Sequence, residues 1–321
     1  MLASTLLVFL HGDRELDALD FVLSEFHLGA TYDAIIRRRL WRQRRFDIVL
    51  IPVVILTLTY VLSMTGHSVL LTSIAMYAAV WHRGRQSLGV ARFYQRGMGG
   101  PASRVHDVLF RGAIYLPMLA AMLAYTHLAP IEYDGEPYVA LSLGAEMTST
   151  VGLAAVFSVI AYLVWTLFRP RERPMLAPDK TEIRIHPGEL WIVLAHAVAF
   201  GSAYVLGASN ASFILVLAVH HEVQYLYFTW AMARRSAPFN VSKTSSGLVM
   251  SEPVTKTLPD PTPPAEAKFA ASFLIWPVIG FAGAVLGSWL QLAWLAPLGM
   301  GGLFCHYWLD GRIWTRRSFQ K

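Results

Sequence analysis

The segment His220-His221-Glu222-Val223-Gln224-Tyr225 lies inside an otherwise apolar run from Ala211 to Trp230. Two adjacent imidazoles, a carboxylate and an amide in the middle of a membrane-length stretch are expensive to bury, and such groups mark a functional site. Three more histidines have comparable surroundings: His27 in Ser24-Glu25-Phe26-His27-Leu28-Gly29, His82 in Trp81-His82-Arg83-Gly84-Arg85-Gln86, and His306 in Cys305-His306-Tyr307-Trp308-Leu309-Asp310. Imidazoles brought together from separate helices suit iron, copper or zinc, and helix bundles build metal sites from side chains on facing helices. The candidate ligands are therefore His27, His82, His221 and His306, with His220 as an alternate or as the ligand of a second metal. Carboxylates and amides nearby can accept the second ring N–H and fix the ligand tautomer. Glu25 flanks His27, Gln86 lies one turn below His82, Gln224 one turn below His220 and Asp310 one turn below His306. These four are the candidate auxiliary or catalytic groups. Taken singly, each histidine can equally serve as interhelical hydrogen-bond glue.

Composition says what kind of element must position these residues. The chain has 321 residues, 55% of them hydrophobic and only 15% charged, with a mean hydropathy of +0.44. The expected fold class is all-α, a polytopic transmembrane bundle with a histidine-rich core, forming a single integral-membrane domain over 1–321. One cysteine, Cys305, excludes a disulfide framework and a zinc-finger or iron–sulfur ligand set. The net charge of +6 is concentrated between apolar segments, which fits membrane topology rather than nucleic-acid binding. Met1–Leu10 is apolar but has neither a basic region before it nor a small-residue cleavage site after it, so no cleavable signal peptide is expected.

The first span is unusual. From Asp13 to about Arg37, the residues Asp13, Asp17, Asp20, Ser24, His27 and Thr31 follow at alternating four- and three-residue spacing, a single polar stripe on an otherwise apolar helix. Such a stripe must face a protein interior or a cavity. Further spans are expected at 46–66, 68–94, 105–127, 149–169, 188–208, 209–234, 268–289 and 291–314, nine in all. Ser236–Ala267, rich in Pro, Ser and Thr, reads as a flexible cytoplasmic loop. Basic clusters follow the first span (Arg37–Arg45), the third (Arg83, Arg85, Arg92, Arg96), the fifth (Arg169, Arg171, Arg173), the seventh (Arg234, Arg235) and the ninth (Arg316, Arg317). Alternate spans thus deliver them to one side, which places the amino terminus outside and the carboxyl terminus in the cytoplasm of a bacterial-type membrane. His27, His82, His220/His221 and His306 all fall on spans running in one direction. Each precedes its basic end by roughly 15–20 Å of helix, so four helices present imidazole at one depth.

Ser24-Glu25-Phe26-His27-Leu28-Gly29 resembles the histidine-glycine helix motif of the Brp/Blh family, membrane beta-carotene dioxygenases that hold one non-haem iron through histidines on several transmembrane helices. The resemblance rests on short motifs, about a tenth of the chain. It implies iron held by His27, His82, His220 or His221, and His306, with dioxygen as co-substrate and a long apolar, isoprenoid-like lipid as substrate. The expected function is accordingly that of a membrane-embedded iron oxygenase, with one or two irons and an electron-donor protein as a further partner. Two alternatives are a proton-coupled transporter using the Asp17/Asp20/His27 stripe and a membrane haem protein with two of the histidines as axial ligands. The HxxxH and HxxHH boxes of membrane fatty-acid desaturases do not occur in the chain.

Overall fold

The computed structural model describes residues 23–24, 26–32, 35–36, 40–97, 101–128, 132–133, 136–141, 143–168, 185–206, 215–234, 241–244, 247–250 and 296–313. The span expected at 268–289, the acidic residues Asp13, Asp17 and Asp20, and Glu25 lie outside these residues. Nearly everything described is helical. Helical residues 26–32 (α1) stand between short helical pieces at 23–24 and 35–36, and Leu40–Gln43 (α2) follows. The π-helical turn Phe46–Leu50 continues into Ile51–Met64 (α3). Next come Ser68–Gly97 (α4), Arg104–Leu128 (α5), Gly144–Phe168 (α6), Pro187–Leu206 (α7), Leu215–Arg234 (α8) and Ala296–Ile313 (α9). Two small antiparallel hairpins interrupt the helices. One pairs Glu132–Tyr133 with Glu136–Pro137; the other pairs Val241–Thr244 with Gly247–Met250 inside the connector expected to be a loop.

Among the described residues, four helical segments are long and apolar enough to cross a membrane by length and composition: Phe46–Met64, Arg104–Ala124, Gly144–Phe168 and Pro187–Leu206. Their outward faces are greasy. Val53, Val54 and Leu58 on α3, Phe157 and Leu167 on α6, and Trp191 and Val205 on α7 are all exposed, the arrangement expected where lipid rather than water is the solvent. The chain is thus a helical membrane protein by its apolar helices. The helices α4, α8 and α9 do not meet that apolarity test: α8 and α9 carry clustered polar residues, and α4 carries four arginines as well as His82.

The long helix α4 is the hub, packing against α3, α5, α7, α8 and α9. One core cluster joins Met76 and Val80 of α4 to Met118 and Ala121 of α5, Ala199 and Phe200 of α7, and Val216 and Leu217 of α8. A second joins Ala91, Phe110, Ile114, Tyr162 and Val193 from α4, α5, α6 and α7. In lipid, helices associate through close packing, so small residues matter at the contacts. Gly301 lets α9 lie against α3, since a Cβ there would come within 2.9 Å of Leu56 Cδ2 and 3.4 Å of the Leu56 backbone. The α9–α3 contact is tied further by Trp308 Nε1 donating to the Asp47 carbonyl at 2.9 Å and by Cys305 Sγ, 3.5 Å from the Pro52 carbonyl. Within α5, Pro117 cannot supply a backbone N–H, and close to this break His196 of α7 donates Nε2–H to the Ile114 carbonyl at 2.9 Å.

Glu189, in the first turn of α7, is 2% exposed. Its Oε1 accepts from Gln95 Nε2 at 3.0 Å and from Tyr162 Oη at 3.0 Å, and lies 2.8 Å from His106 Nε2. His106 Nδ1 accepts the Ala102 amide at 3.1 Å, which leaves the proton on Nε2. Side chains from α4, α5, α6 and α7 thus close around a single oxygen. Removing it strands two buried donors and takes the carboxylate from beside His106, so Glu189→Leu is expected to destabilise the bundle by about 3 kcal/mol or more, whereas Tyr162→Phe costs about 1–2 kcal/mol. Thermal unfolding in detergent checks the order of the two variants; an equal effect would show that Glu189 is not the common acceptor.

Candidate metal centre

Four histidines meet at one point. His27 of α1, His82 of α4, His221 of α8 and His306 of α9 each offer a ring nitrogen, and these atoms all lie within 4.8 Å of one another. Ring centroids stand 4.5 Å apart for His27–His221, 4.5 Å for His27–His306, 4.9 Å for His82–His221 and 5.1 Å for His82–His306. His27, His221 and His306 are buried, and the His82 side chain keeps 11% exposure. Helical periodicity delivers the α1 residues. Ser24, His27 and Thr31 share one face, and all three make contacts inside the bundle: Ser24 Oγ donates to Glu222 Oε1, His27 joins the cluster, and Thr31 reaches α9. The described half of the sequence's polar stripe therefore faces protein.

The donor set is of a kind that could hold a metal ion. His27 Nε2 and His306 Nε2 are 2.6 Å apart, and His27 Nδ1, His82 Nε2 and His221 Nδ1 are buried without a hydrogen-bond partner among the described residues. Buried polar atoms in this condition destabilise a fold; a cation accepting the lone pairs of His82 Nε2 and His221 Nδ1 would remove the penalty at those two atoms. Four neutral imidazoles form a donor set appropriate to iron, copper or zinc.

A hydroxyl pair organises the opposite side of the centre. Thr31 Oγ1 donates to Asp310 Oδ1 at 2.8 Å, and Tyr225 Oη donates to the same oxygen at 2.9 Å. With its proton used on the carboxylate, Thr31 Oγ1 can serve as acceptor for His306 Nδ1 at 3.3 Å. That bond puts the His306 proton on Nδ1 and leaves the Nε2 lone pair turned inward. Two aromatic rings fix imidazole planes. Tyr225 lies 4.1 Å from the His27 ring centre, and Tyr307 stacks on His82 at 4.5 Å and 29°.

The candidate residues divide clearly. His27, His82, His221 and His306 converge, and Asp310 stands beside them. His220, the alternate ligand, points elsewhere: it is one residue, about 100° of helix rotation, from His221, and its ring lies 6.5 Å from His196 of α7. Gln86 and Gln224 do not hydrogen-bond a ring nitrogen. Gln86 Nε2 donates to the His221 backbone carbonyl at 2.7 Å and to Gln224 Oε1 at 3.3 Å, and Ser87 Oγ donates to the same Gln224 oxygen at 3.3 Å. These amides hold α8 against α4, so they position the histidine through its backbone rather than through its ring. The expectation that they accept ring N–H groups is corrected accordingly.

Tyr225 is the site residue that the sequence hides. It stands in the aromatic run Tyr225, Tyr227, Phe228, Trp230, which reads as core and interface belt. The available signal was its spacing, four residues after His221 and so on the same helix face. Among the described residues, three further histidines have contacts away from the cluster: His106 Nε2 lies 2.8 Å from Glu189, Thr65 and His67 contact one another at 3.0 Å, and His186 Nδ1 accepts the Gly188 amide at 2.9 Å at the start of α7. In comparisons with known proteins, no family model, no curated protein and no solved structure matches this chain.

Proposed function

We propose that this protein is a membrane-embedded non-haem iron oxygenase that acts on an apolar, lipid-type substrate with dioxygen. The observation that carries the reading is the meeting of four buried imidazoles from four separate helices inside an apolar bundle. His27, His82, His221 and His306 would hold the ion. When bound, ferrous iron supplies the redox chemistry and the open coordination position that dioxygen requires. The chain's own residues supply the rest. Thr31 and Tyr225 hold the Asp310 carboxylate in one orientation, Gln86 pins the α8 backbone at His221, and Tyr307 and Tyr225 keep two imidazoles from turning. The apolar flanks of the bundle exclude water and admit a substrate only from the lipid phase. The close approach of four rings favours a bare ion over a haem, whose macrocycle needs space between its two axial ligands.

The full topology belongs to the same reading: nine spans in a bacterial cytoplasmic membrane, amino terminus outside, carboxyl terminus inside. The regular alternation of arginine clusters with apolar runs supports it. A fluorescent protein fused after Lys321 is expected to fluoresce, and alkaline phosphatase fused after Ala140 to be active; inactive phosphatase at Ala140 would overturn the orientation.

Elemental analysis of detergent-purified protein tests the centre itself. Iron is expected at a level stoichiometric with the chain, with no Soret band in the absorption spectrum. His82→Ala and His221→Ala should lose the iron while eluting as folded protein, and His220→Ala should retain it. Zinc in place of iron in protein isolated from iron-replete cells would refute the oxygenase, and wild-type metal content in His82→Ala would refute the centre. Dioxygen uptake on adding membrane lipid extract, read with an oxygen electrode, is expected for the wild type and not for His82→Ala.

A further inference from the structure

The four histidines leave one oxygen of the site to be explained. Asp310 is 6% exposed, and its two carboxylate oxygens have different surroundings. Oδ1 accepts both hydroxyls, from Thr31 and from Tyr225. Oδ2 is turned toward the histidines, 3.6 Å from His82 Nε2, 3.7 Å from His27 Nε2 and 3.7 Å from His306 Nε2.

These three distances are almost equal, and none is a hydrogen bond, which for a charge-assisted N–H and carboxylate closes to about 2.7–2.9 Å. A carboxylate that orients a ligand histidine would approach one ring, on the nitrogen facing away from the ion. Asp310 Oδ2 instead stands level with three Nε2 atoms, on the side where they face each other. Two ligands bound to one ion by bonds of about 2.1 Å stand about 3.0–4.2 Å apart, depending on the angle between them. All three separations fall inside that interval, whereas His27 Nε2 and His306 Nε2, 2.6 Å apart, stand closer than it and must separate to share an ion. The intrahelical geometry contributes as well, since His306 and Asp310 are four residues apart and share the inward face of α9.

We propose that Asp310 is itself a ligand, binding the ion through Oδ2 as the single anionic member of a four-histidine, one-carboxylate set. The inference rests on the metal-centre reading above and extends it. One negative charge against a dication reduces the charge that must be buried in the bundle. Five protein ligands fill all but one position of an octahedral ion, and that position is left for an exogenous small molecule. The hydroxyls of Thr31 and Tyr225 hold the carboxylate in this role by occupying its other oxygen.

Cobalt(II), added to tag-free, metal-stripped protein in detergent, tests the assignment, because its visible bands are intense for four ligands and weak for five or six. The wild type is expected to give the weak bands; intense tetrahedral bands in the wild type would overturn the proposal without needing any variant. Asp310→Asn should weaken cobalt binding by more than about 100-fold, beyond the ~10–100-fold that loss of an orienting partner produces, and the residual complex should show the tetrahedral spectrum. Tyr225→Phe, which leaves Oδ2 in place, should stay within that smaller range and keep the wild-type bands. An Asp310→Asn variant that binds within 100-fold of wild type with unchanged bands would make Asp310 a bystander or an orienting group and defeat the proposal. Failure of the wild type to bind cobalt at all would defeat the metal centre as a whole, a result distinct from the others.

Discussion

The structure depends on one constraint: polar groups withdrawn from water into an apolar bundle must satisfy one another or bind something that does. Residues as distant in sequence as 27 and 310 are brought to a common point under that constraint. A membrane-embedded helix satisfies its own backbone, so its side chains carry nearly all the specificity of helix association. In this chain the polar ones are concentrated along α1, α4, α8 and α9. The hub position of α4 follows, because it presents His82 and Gln86 toward α8 and α9 while its apolar residues face α5 and α7.

Two buried polar centres in the same bundle make an informative comparison. At Glu189, a carboxylate oxygen meets a phenol, an amide and an imidazole whose tautomer is set by a backbone N–H. The amide and the phenol both donate to that oxygen, as expected of a network that holds helices together, while His106 Nε2 lies 2.8 Å from it without the alignment of a hydrogen bond. At the histidine centre the contacts are largely between imidazoles. Four imidazoles converge, two of them with Nε2 atoms facing at 2.6 Å, and further ring nitrogens stay buried without a hydrogen bond. Both centres experience the same solvent and the same helices. The difference between them lies in the groups that meet: one carboxylate with its donors at Glu189, and four imidazoles that could hold a metal ion at the other centre.

Much of this was legible in the sequence, for physical reasons. Apolar runs and the residues that interrupt them have a period and a length, so the helices at 68–94, 105–127 and 188–208 agree closely with Ser68–Gly97, Arg104–Leu128 and Pro187–Leu206. The four clustered histidines were legible because a buried imidazole in an apolar segment is rare. What could not be read was rotation about each helix axis. His220 and His221 are equivalent by composition, and only the packing of α8 between α4 and α7 sends one to the cluster and the other toward His196. Gln86 and Gln224 were placed on the right helices, but their bonds go to a backbone carbonyl and to each other, a matter of side-chain reach. Tyr225 was hidden because a tyrosine in an aromatic run has a bland explanation. The polarity of the cluster also works against composition-based recognition of its own helices, since α8 and α9 carry its histidines and Asp310 and α4 carries His82 beside four arginines.

The adjacent pair His220-His221 shows how the architecture uses a single helix at two interfaces. Neighbouring residues on a helix diverge by about 100°, so a polar pair on a buried helix reaches two different partners. His221 faces His27 and His82, while His220 faces α7, where His196 is anchored to the Ile114 carbonyl beside the Pro117 break. Glu222 extends the same logic by accepting from Ser24 of the amino-terminal segment. Three consecutive polar residues therefore address three neighbours. Lipid exerts no hydrophobic pull between helices, so α8 needs such specific contacts to settle in one rotation and one depth. The contacts that position α8 are the same ones that bring its imidazole to the centre. Assembly of the bundle and assembly of the site are in this sense one event, driven by the need of buried polar atoms for partners.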